Sequence, residues 1–372
     1  MEIPNGKSRL VESSDWNLLL DHGEGRGRIR ENMSKSSLSP LSSKCRDIQY
    51  LNEISYSYWK AQVLFVAVEM DLFTLLEGKG KSCKAISKRL GTNLRATEMI
   101  LNALISLGLL SKVKGVYKNT AISNRYLVKG NSLYQGDRIH HFHNLWDNWS
   151  GLGVAIKTGK PTAYDNAEEE VDERKLNEFI KAMHNIGIIQ AEEVCKRLDL
   201  KNCHKLLDLG GGQGTYAVRF VKGNPKMTAV VFDLPDVIKI TKRYIRKSGL
   251  KEGVMVQAGD CLKDGLGKEL YDIVFVSNLL HIYKPVENQR ILKKCWDSLK
   301  KKGIVVIQEF ILNSSKTRPL FGTLFSLNML IGTSGGSSYT ERDMKGWLKK
   351  IGFKNLKKIN LSLDSGLIVG YK

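Results

Sequence analysis

Short apolar runs, each bounded by glycine, proline or charged positions, recur through the second half of the chain. They are LLDLG (206–210), TAVVFD (228–233), VMVQAGD (254–260), YDIVFVSNLL (271–280) and GIVVIQEF (303–310). Helical patterns such as ENQRILKKCWDSLKK lie between them. Aliphatic strands alternating with helices predict a parallel sheet covered on its faces, a doubly wound α/β domain. Two further runs, FKNLKKINL (353–361) and GLIVGYK (366–372), are separated only by the tetrapeptide SLDS. A parallel crossover needs about a dozen residues, so these two are expected to pair antiparallel.

The first half has a different period. AQVLFVAVEMDLFTLL (61–76) reads as one strongly apolar helix. CKAISKRLG (83–91) reads as a short helix ended by Gly91. LRATEMILNALISLGLL (94–110) places Ile100, Leu101, Leu104 and Ile105 on one face, and KVKGVYKNT (112–120) reads as a hairpin turning at Gly115. Three helices and a hairpin predict a winged-helix module over 46–130. Residues 131–200 are expected to be a helical linker and substrate wall, rich in aromatic and histidine positions (HHFHNLWDNW, 140–149). The doubly wound α/β domain is then 201–372. Residues 1–45 carry no hydrophobic period and are expected to be a disordered leader, in which Met33 opens a second plausible start.

Composition narrows the function. The 372 residues are 42% hydrophobic and 26% charged, with a formal net charge of +20. That charge raises nucleic acid as a partner, but the lysines are spread over polar helix faces of the C-terminal half. The third helix of the winged module offers only Arg95, Glu98 and Asn102 to a groove, so an interaction or dimerisation module is expected and no nucleic acid. No apolar stretch reaches the ~18 residues of a membrane span; the nearest, Leu320–Gly332, is broken by Gly322, Ser326 and Asn328. No signal-peptide core precedes it. The six cysteines (45, 83, 195, 203, 261, 295) show no metal-ligand spacing. Reduced thiols, a cytoplasmic location and no metal are expected.

Ligands of open α/β sheets sit beyond the carboxyl ends of the strands. Those ends carry Asp208, Asp233, Asp260, His281 and Glu309, which are therefore the candidate site. Between Asp208 and the next helix lies GGGQG. No Lys-Ser/Thr follows the glycines, which excludes a P-loop. Gly210, Gly212 and Gly214 taken alone leave a dinucleotide open. Five parallel strands followed by an antiparallel hairpin are instead the S-adenosylmethionine (SAM) methyltransferase form of the fold.

LDLGGGQG, FDLP (232–235), AGD (258–260), SNLLH (277–281), IQEFIL (307–312) and GGSSYTERDMKGWLKKIGF (335–353) together resemble the class I SAM-dependent O-methyltransferases, and within them the acetylserotonin/caffeate type. The segment MDLFTLL…ISKRLGTNLRATEMILNALISLGLL resembles that family's dimerisation domain. The resemblance covers about residues 47–372. It implies a homodimeric, Rossmann-like SAM enzyme whose cofactor-binding set is Asp208, Gly210, Gly212, Gly214, Asp233, Leu234, Asp260, Cys261 and Ser277. Asp233 would take the ribose hydroxyls, and Asp260 with Cys261 the adenine. His281 is then the general base, held by Glu309, and Met183 and Met329 contact the substrate. The acceptor implied is a hydroxyl on a hydrophobic aromatic or isoprenoid molecule. Four positions depart from the plant-type pattern: Ile282-Tyr283 in place of Asp-Trp, Ser277 in place of a lysine, and Ser338 in place of a second carboxylate. Relatives with such changes include C-methyltransferases and hydroxylase-like or regulatory SAM-binding proteins, which stand as the alternative.

Overall fold

The computed structural model describes residues 43–162 and 172–372. Apart from its last three residues, the expected leader with Met33 lies outside them. The chain falls into two compact units, Met1–Tyr56 and Ser57–Lys372. Within the first, residues 43–56 are helical, and the Ser55 hydroxyl donates back to the Leu51 carbonyl at 2.8 Å.

The helix α1 (Ser43–Glu69) is followed by a single turn, α2 (Leu72–Leu75). The apolar run 61–76 is therefore two helices, not the single one expected. The break falls at Asp71, whose φ of 55° lies in the left-handed region, where Asp costs less than most residues. Reversing the chain there turns Leu72, Phe73 and Leu76 into a common core with Ile86, Leu101, Leu104 and Tyr117. Strand β1 (Lys81–Ser82), α3 (Cys83–Leu90), α4 (Leu94–Ser106), β2 (Leu110–Val113) and β3 (Val116–Asn119) complete the winged arrangement. Ser82 and Asn93 cap the two helices by accepting the backbone N–H of Ala85 and Ala96, and Gly91 ends α3 at φ 65°. Lys114 and Gly115, both at positive φ, make the tight β2–β3 turn.

Five helices bridge to the sheet: α5 (Ala121–Tyr126), α6 (Gly136–Asn144), α7 (Trp146–Ser150), α8 (Leu152–Thr158) and the long α9 (Glu173–Arg197). The strands of the sheet and its covering helices follow. They are β4 (Lys205–Leu209), α10 (Thr215–Gly223), β5 (Thr228–Asp233), α11 (Pro235–Ser248), β6 (Val254–Ala258), β7 (Tyr271–Ser277), α12 (Pro285–Ser298), β8 (Leu299–Glu309), α13 (Leu320–Gly332), α14 (Glu341–Ile351), β9 (Lys354–Asn360) and β10 (Gly366–Tyr371). The strand order is β6-β5-β4-β7-β8-β10-β9. The first five strands in that row are parallel, and β10 inserts antiparallel between β8 and β9, as the short SLDS connection requires.

Period-two alternation gives the sheet two buried faces. Leu207, Val230, Val274 and Val305 pack with Ile291, Leu292 and Met344 on one side. Leu206, Ala229, Phe275 and Val306 pack with Val194, Ala217 and Phe220 on the other. Burying a Val or Leu side chain is worth roughly 1.5–3 kcal/mol, so strands apolar on both faces belong in the middle, where β4 and β7 lie. The edge strand β9 exposes Lys354, Lys357 and Lys358 instead. No helix among the described residues is long and apolar enough to cross a membrane.

Candidate active site

The turn between β4 and α10 is built almost wholly from backbone. Gly210, Gly212 and Gly214 hold φ values of 66°, 54° and 85°, which glycine adopts without strain. Gly211 is needed for space: a Cβ there would lie 2.7 Å from Asp208 Cγ and 2.9 Å from Val231 Cγ1. The turn is pinned from below. Gly210 N–H donates to the Phe232 carbonyl at 2.8 Å, and the Thr241 hydroxyl to the Gly212 carbonyl at 2.6 Å. Asp208 is fully buried under it. Its Oδ2 accepts Ala217 N–H at 3.2 Å while Oδ1 has no hydrogen-bond partner among the described residues. Burial, opposed in part by the Ala217 hydrogen bond, pushes its carboxyl up to about 7.

Asp233 ends β5 beside the glycines. Its Oδ2 accepts Gly212 N–H and its Oδ1 accepts Leu234 N–H, each at 2.8 Å. Burial raises its carboxyl above the usual range, and these two bonds oppose the rise. Each oxygen keeps a further lone pair, as a carboxylate has about four acceptor sites. Leu234 stands beside it with its side chain half exposed. Helix α9 covers the turn: His184 Nδ1 meets the Thr215 hydroxyl at 2.7 Å, and Ile180 packs with Val237 and Ile240. Burial holds His184 below its usual range.

Asp260 and Cys261 lie two and three residues past β6, in a tight turn. Asp260 Oδ1 accepts Leu262 N–H at 2.8 Å, and Asp260 N–H donates to Asp264 Oδ2 at 2.8 Å. The Cys261 thiol is buried and pushed up by desolvation, with Sγ 3.5 Å from the Tyr283 hydroxyl.

At the rim of the next strands, His281 sits in a single 3₁₀ turn (Leu280–Ile282) and Glu309 is the last residue of β8. Both are buried. Glu309 Oε2 is 2.8 Å from His281 Nδ1, and its Oε1 accepts His281 N–H at 3.2 Å. One carboxylate thus fixes both the ring and the backbone of one histidine. A carboxylate only accepts, so Nδ1 carries a ring proton, and in the neutral ring Nε2 is then the atom with a free lone pair. The His281 ring meets Phe325 edge-on at 4.8 Å and stacks near Phe310 at 6.3 Å.

The structure joins His281 to Glu309, Asp233 to Gly212, and Asp208 to the underside of the glycine turn. It turns Ser277 inward: its hydroxyl engages Gln308 Oε1 at 3.4 Å. Gln308 in turn donates to Gln190 Oε1 at 2.7 Å, and Gln190 to Ser365 Oγ at 3.0 Å. Met183 lies on α9 and Met329 on α13, one helical turn beyond Phe325. The aromatic stretch 140–149 reaches that same helix, with Trp149 Nε1 donating to Asn328 Oδ1 at 3.1 Å. Sequence reasoning missed the cluster Phe310, Phe321 and Phe325 (ring centroids 4.7–5.8 Å apart), although the i, i+4 spacing of the last two on an apolar helix was readable. It also missed the Gln190–Gln308 pair. Ser338 is buried with its hydroxyl lacking a hydrogen-bond partner among the described residues. Its neighbour Ser337 donates its N–H to the His281 carbonyl at 2.9 Å.

A parallel sheet closed by an antiparallel hairpin, with a glycine turn and a buried His–Glu pair at the strand ends, is the arrangement expected of a SAM-dependent methyltransferase. Residues 136–354 match the O-methyltransferase domain and residues 52–129 the O-methyltransferase dimerisation domain; the chain belongs to the O-methyltransferase family. Among its relatives, the 3-hydroxy-5-methyl-1-naphthoate 3-O-methyltransferase of Streptomyces sahachiroi is 29% identical over 328 residues, 87% of this chain and 94% of that one. The acetylserotonin O-methyltransferase of Bos taurus is 29% identical over 323 residues, 82% of this chain and 92% of the relative. The crystal structure of human N-acetylserotonin methyltransferase in complex with SAM superposes with a TM-score of 0.82 at 25% identity, over 90% of this chain and 99% of that one. The chain is an S-adenosylmethionine-dependent O-methyltransferase, and SAM is its cofactor.

Proposed function

We propose that this enzyme methylates a hydroxyl of a flat, hydrophobic small molecule, aromatic or isoprenoid, with His281 as the general base. The observation that carries the proposal is the buried His281–Glu309 pair at 2.8 Å. SAM, when bound, supplies a methyl group on a positively charged sulfur, ready for in-line displacement. The residues that would hold it are Gly210, Gly212 and Gly214 along the backbone, above buried Asp208, with Asp233 and Leu234 at the ribose, Asp260 and Cys261 at the adenine, and Ser277 close by. The cradle fits such a group because Asp233 keeps acceptor lone pairs free beside a glycine-rich backbone turn.

His281 Nε2 takes the proton of the acceptor hydroxyl as the oxygen gains its methyl group. Glu309 holds the ring in the accepting tautomer and stabilises the imidazolium that forms. Phe310, Phe321 and Phe325 exclude water around the base, and with Met183 and Met329 they favour an apolar, planar acceptor. Where plant-type relatives carry a second carboxylate, the hydroxyl of Ser338 favours a neutral acceptor. The match to a dimerisation domain supports a homodimer. The buried thiols of Cys203, Cys261 and Cys295 pack as reduced core side chains, in keeping with a cytoplasmic enzyme.

Labelled methyl transfer from SAM to an extract of small metabolites tests the reading. His281→Ala should lower the rate by about 10²–10⁴-fold. An undiminished rate removes His281 from the role of base.

A further inference from the structure

Helix α12 grips both halves of the site. Near its start, the fully buried Asn288 donates through Nδ2 to the carbonyls of Leu280 (2.9 Å) and Tyr283 (3.2 Å), the residues that bracket His281. Two turns on, Lys294 Nζ donates to the carbonyls of Cys261 (2.9 Å), Leu262 (2.9 Å) and Asp264 (2.8 Å). An ammonium has three N–H donors, and here all three go to one turn.

The turn needs them. Asp260 already satisfies its amides: its carbonyl accepts the N–H of Lys263 and Asp264, and its Oδ1 accepts that of Leu262. Three carbonyls of the same turn are left pointing at α12, and Lys294 is the cation that meets them. The contact of Cys261 Sγ with the Tyr283 hydroxyl ties the two gripped segments to each other. Exposed helix lysines ordinarily pair with a carboxylate one turn away, as Lys293 does with Asp297. Lys294 instead spans 30 to 33 residues of sequence to hold backbone.

We propose that α12 is a brace that sets the cofactor turn against the base, with Lys294 and Asn288 as positioning residues for two different steps. Lys294 holds the 260–264 turn for the adenosine end of SAM. Asn288 holds the 3₁₀ turn that aims His281. The inference rests on the proposed roles of Asp260, Cys261 and His281, and it assigns the two residues separable effects.

The full chain is measured by calorimetry with SAM and with adenosine alone, and by labelled methyl transfer at saturating SAM. Lys294→Met should weaken both SAM and adenosine by about tenfold, the scale of losing charged hydrogen bonds, with the rate at saturating SAM little changed. Asn288→Leu should do the reverse, lowering that rate by about tenfold with SAM affinity kept. Lys294→Arg, which keeps charge and donors, should recover most of the affinity, and Lys293→Met should match the parent. If Lys294→Met does not fold, Lys294→Gln gives the same readout with two donors retained. Unchanged SAM affinity in the Lys294 variants overturns the brace, as does a parallel fall of both parameters in both variants. Asp260→Ala separates the layers. If it leaves SAM affinity intact, the adenine assignment of the turn fails, whereas if it weakens SAM and Lys294→Met does not, only the brace fails.

Discussion

The proposed donor side and the proposed acceptor rim of this site are made of different material. The donor side is backbone: left-handed glycines, amide bonds to Asp233, and carbonyls tied to Thr241 and Lys294. The acceptor rim is side chain: an imidazole, a carboxylate and a wall of phenylalanines from β8 and α13. Backbone recognises a cofactor that never changes, and its cost of alteration is steric. Side chains recognise an acceptor that differs among relatives, and their loss is chemical. Damage to one side should therefore leave the other readable.

The largest effect is expected from His281→Ala, where the rate falls while calorimetry still finds SAM at parental affinity; loss of SAM binding there would merge the two sides. Glu309→Gln keeps the shape of the pair and removes the charge that stabilises the imidazolium. A fall of roughly 10–10²-fold in the rate at saturating SAM is expected, the usual scale for a group supporting a functional histidine. On the donor side, Gly211→Ala pushes a methyl group into Asp208 and Val231. Overpacking of this kind costs about 1–3 kcal/mol, so SAM affinity should fall by about ten- to a hundredfold. Circular dichroism would show whether the fold survives.

The most gradual effect concerns pH. Asp208 keeps its proton to about 7 in the folded chain and loses it near the ordinary carboxylate value, about 4, once unfolded. Between those values unfolding releases a proton, so stability falls as pH rises, by at most about 1.4 kcal/mol per pH unit from this group. Urea midpoints measured without SAM should show that decline flattened in Asp208→Asn. An identical decline in the variant would place the effect elsewhere.

The same contrast governs what the sequence made legible. The donor turn lies within ten consecutive residues, 208–217, where apolar run, glycines and helix pattern are local signals. The antiparallel hairpin followed from loop length alone. The His281–Glu309 rim was reachable because adjacent parallel strands bring their ends together. The break of the apolar helix at Asp71 was not legible, since it follows from where Leu72 and Phe73 find a core rather than from a glycine or proline. Gln190 and Gln308 lie 118 positions apart, and Lys294 meets the Asp264 carbonyl 30 positions away. Polar residues on a helix read as solvated surface until the tertiary partner is known.

The lysines of β9 answer the question raised by the net charge. Lys354, Lys357 and Lys358 line a strand whose outer hydrogen-bonding side has no neighbour in the sheet among the described residues. Such an edge is a template for another chain's strand, and a row of like charges repels one that carries the same sequence. High salt or acetylation of these lysines would weaken that protection. Part of the basicity that looks like a signal for nucleic acid thus lies along a sheet edge, where Lys358 also pairs with Glu341 at 3.7 Å.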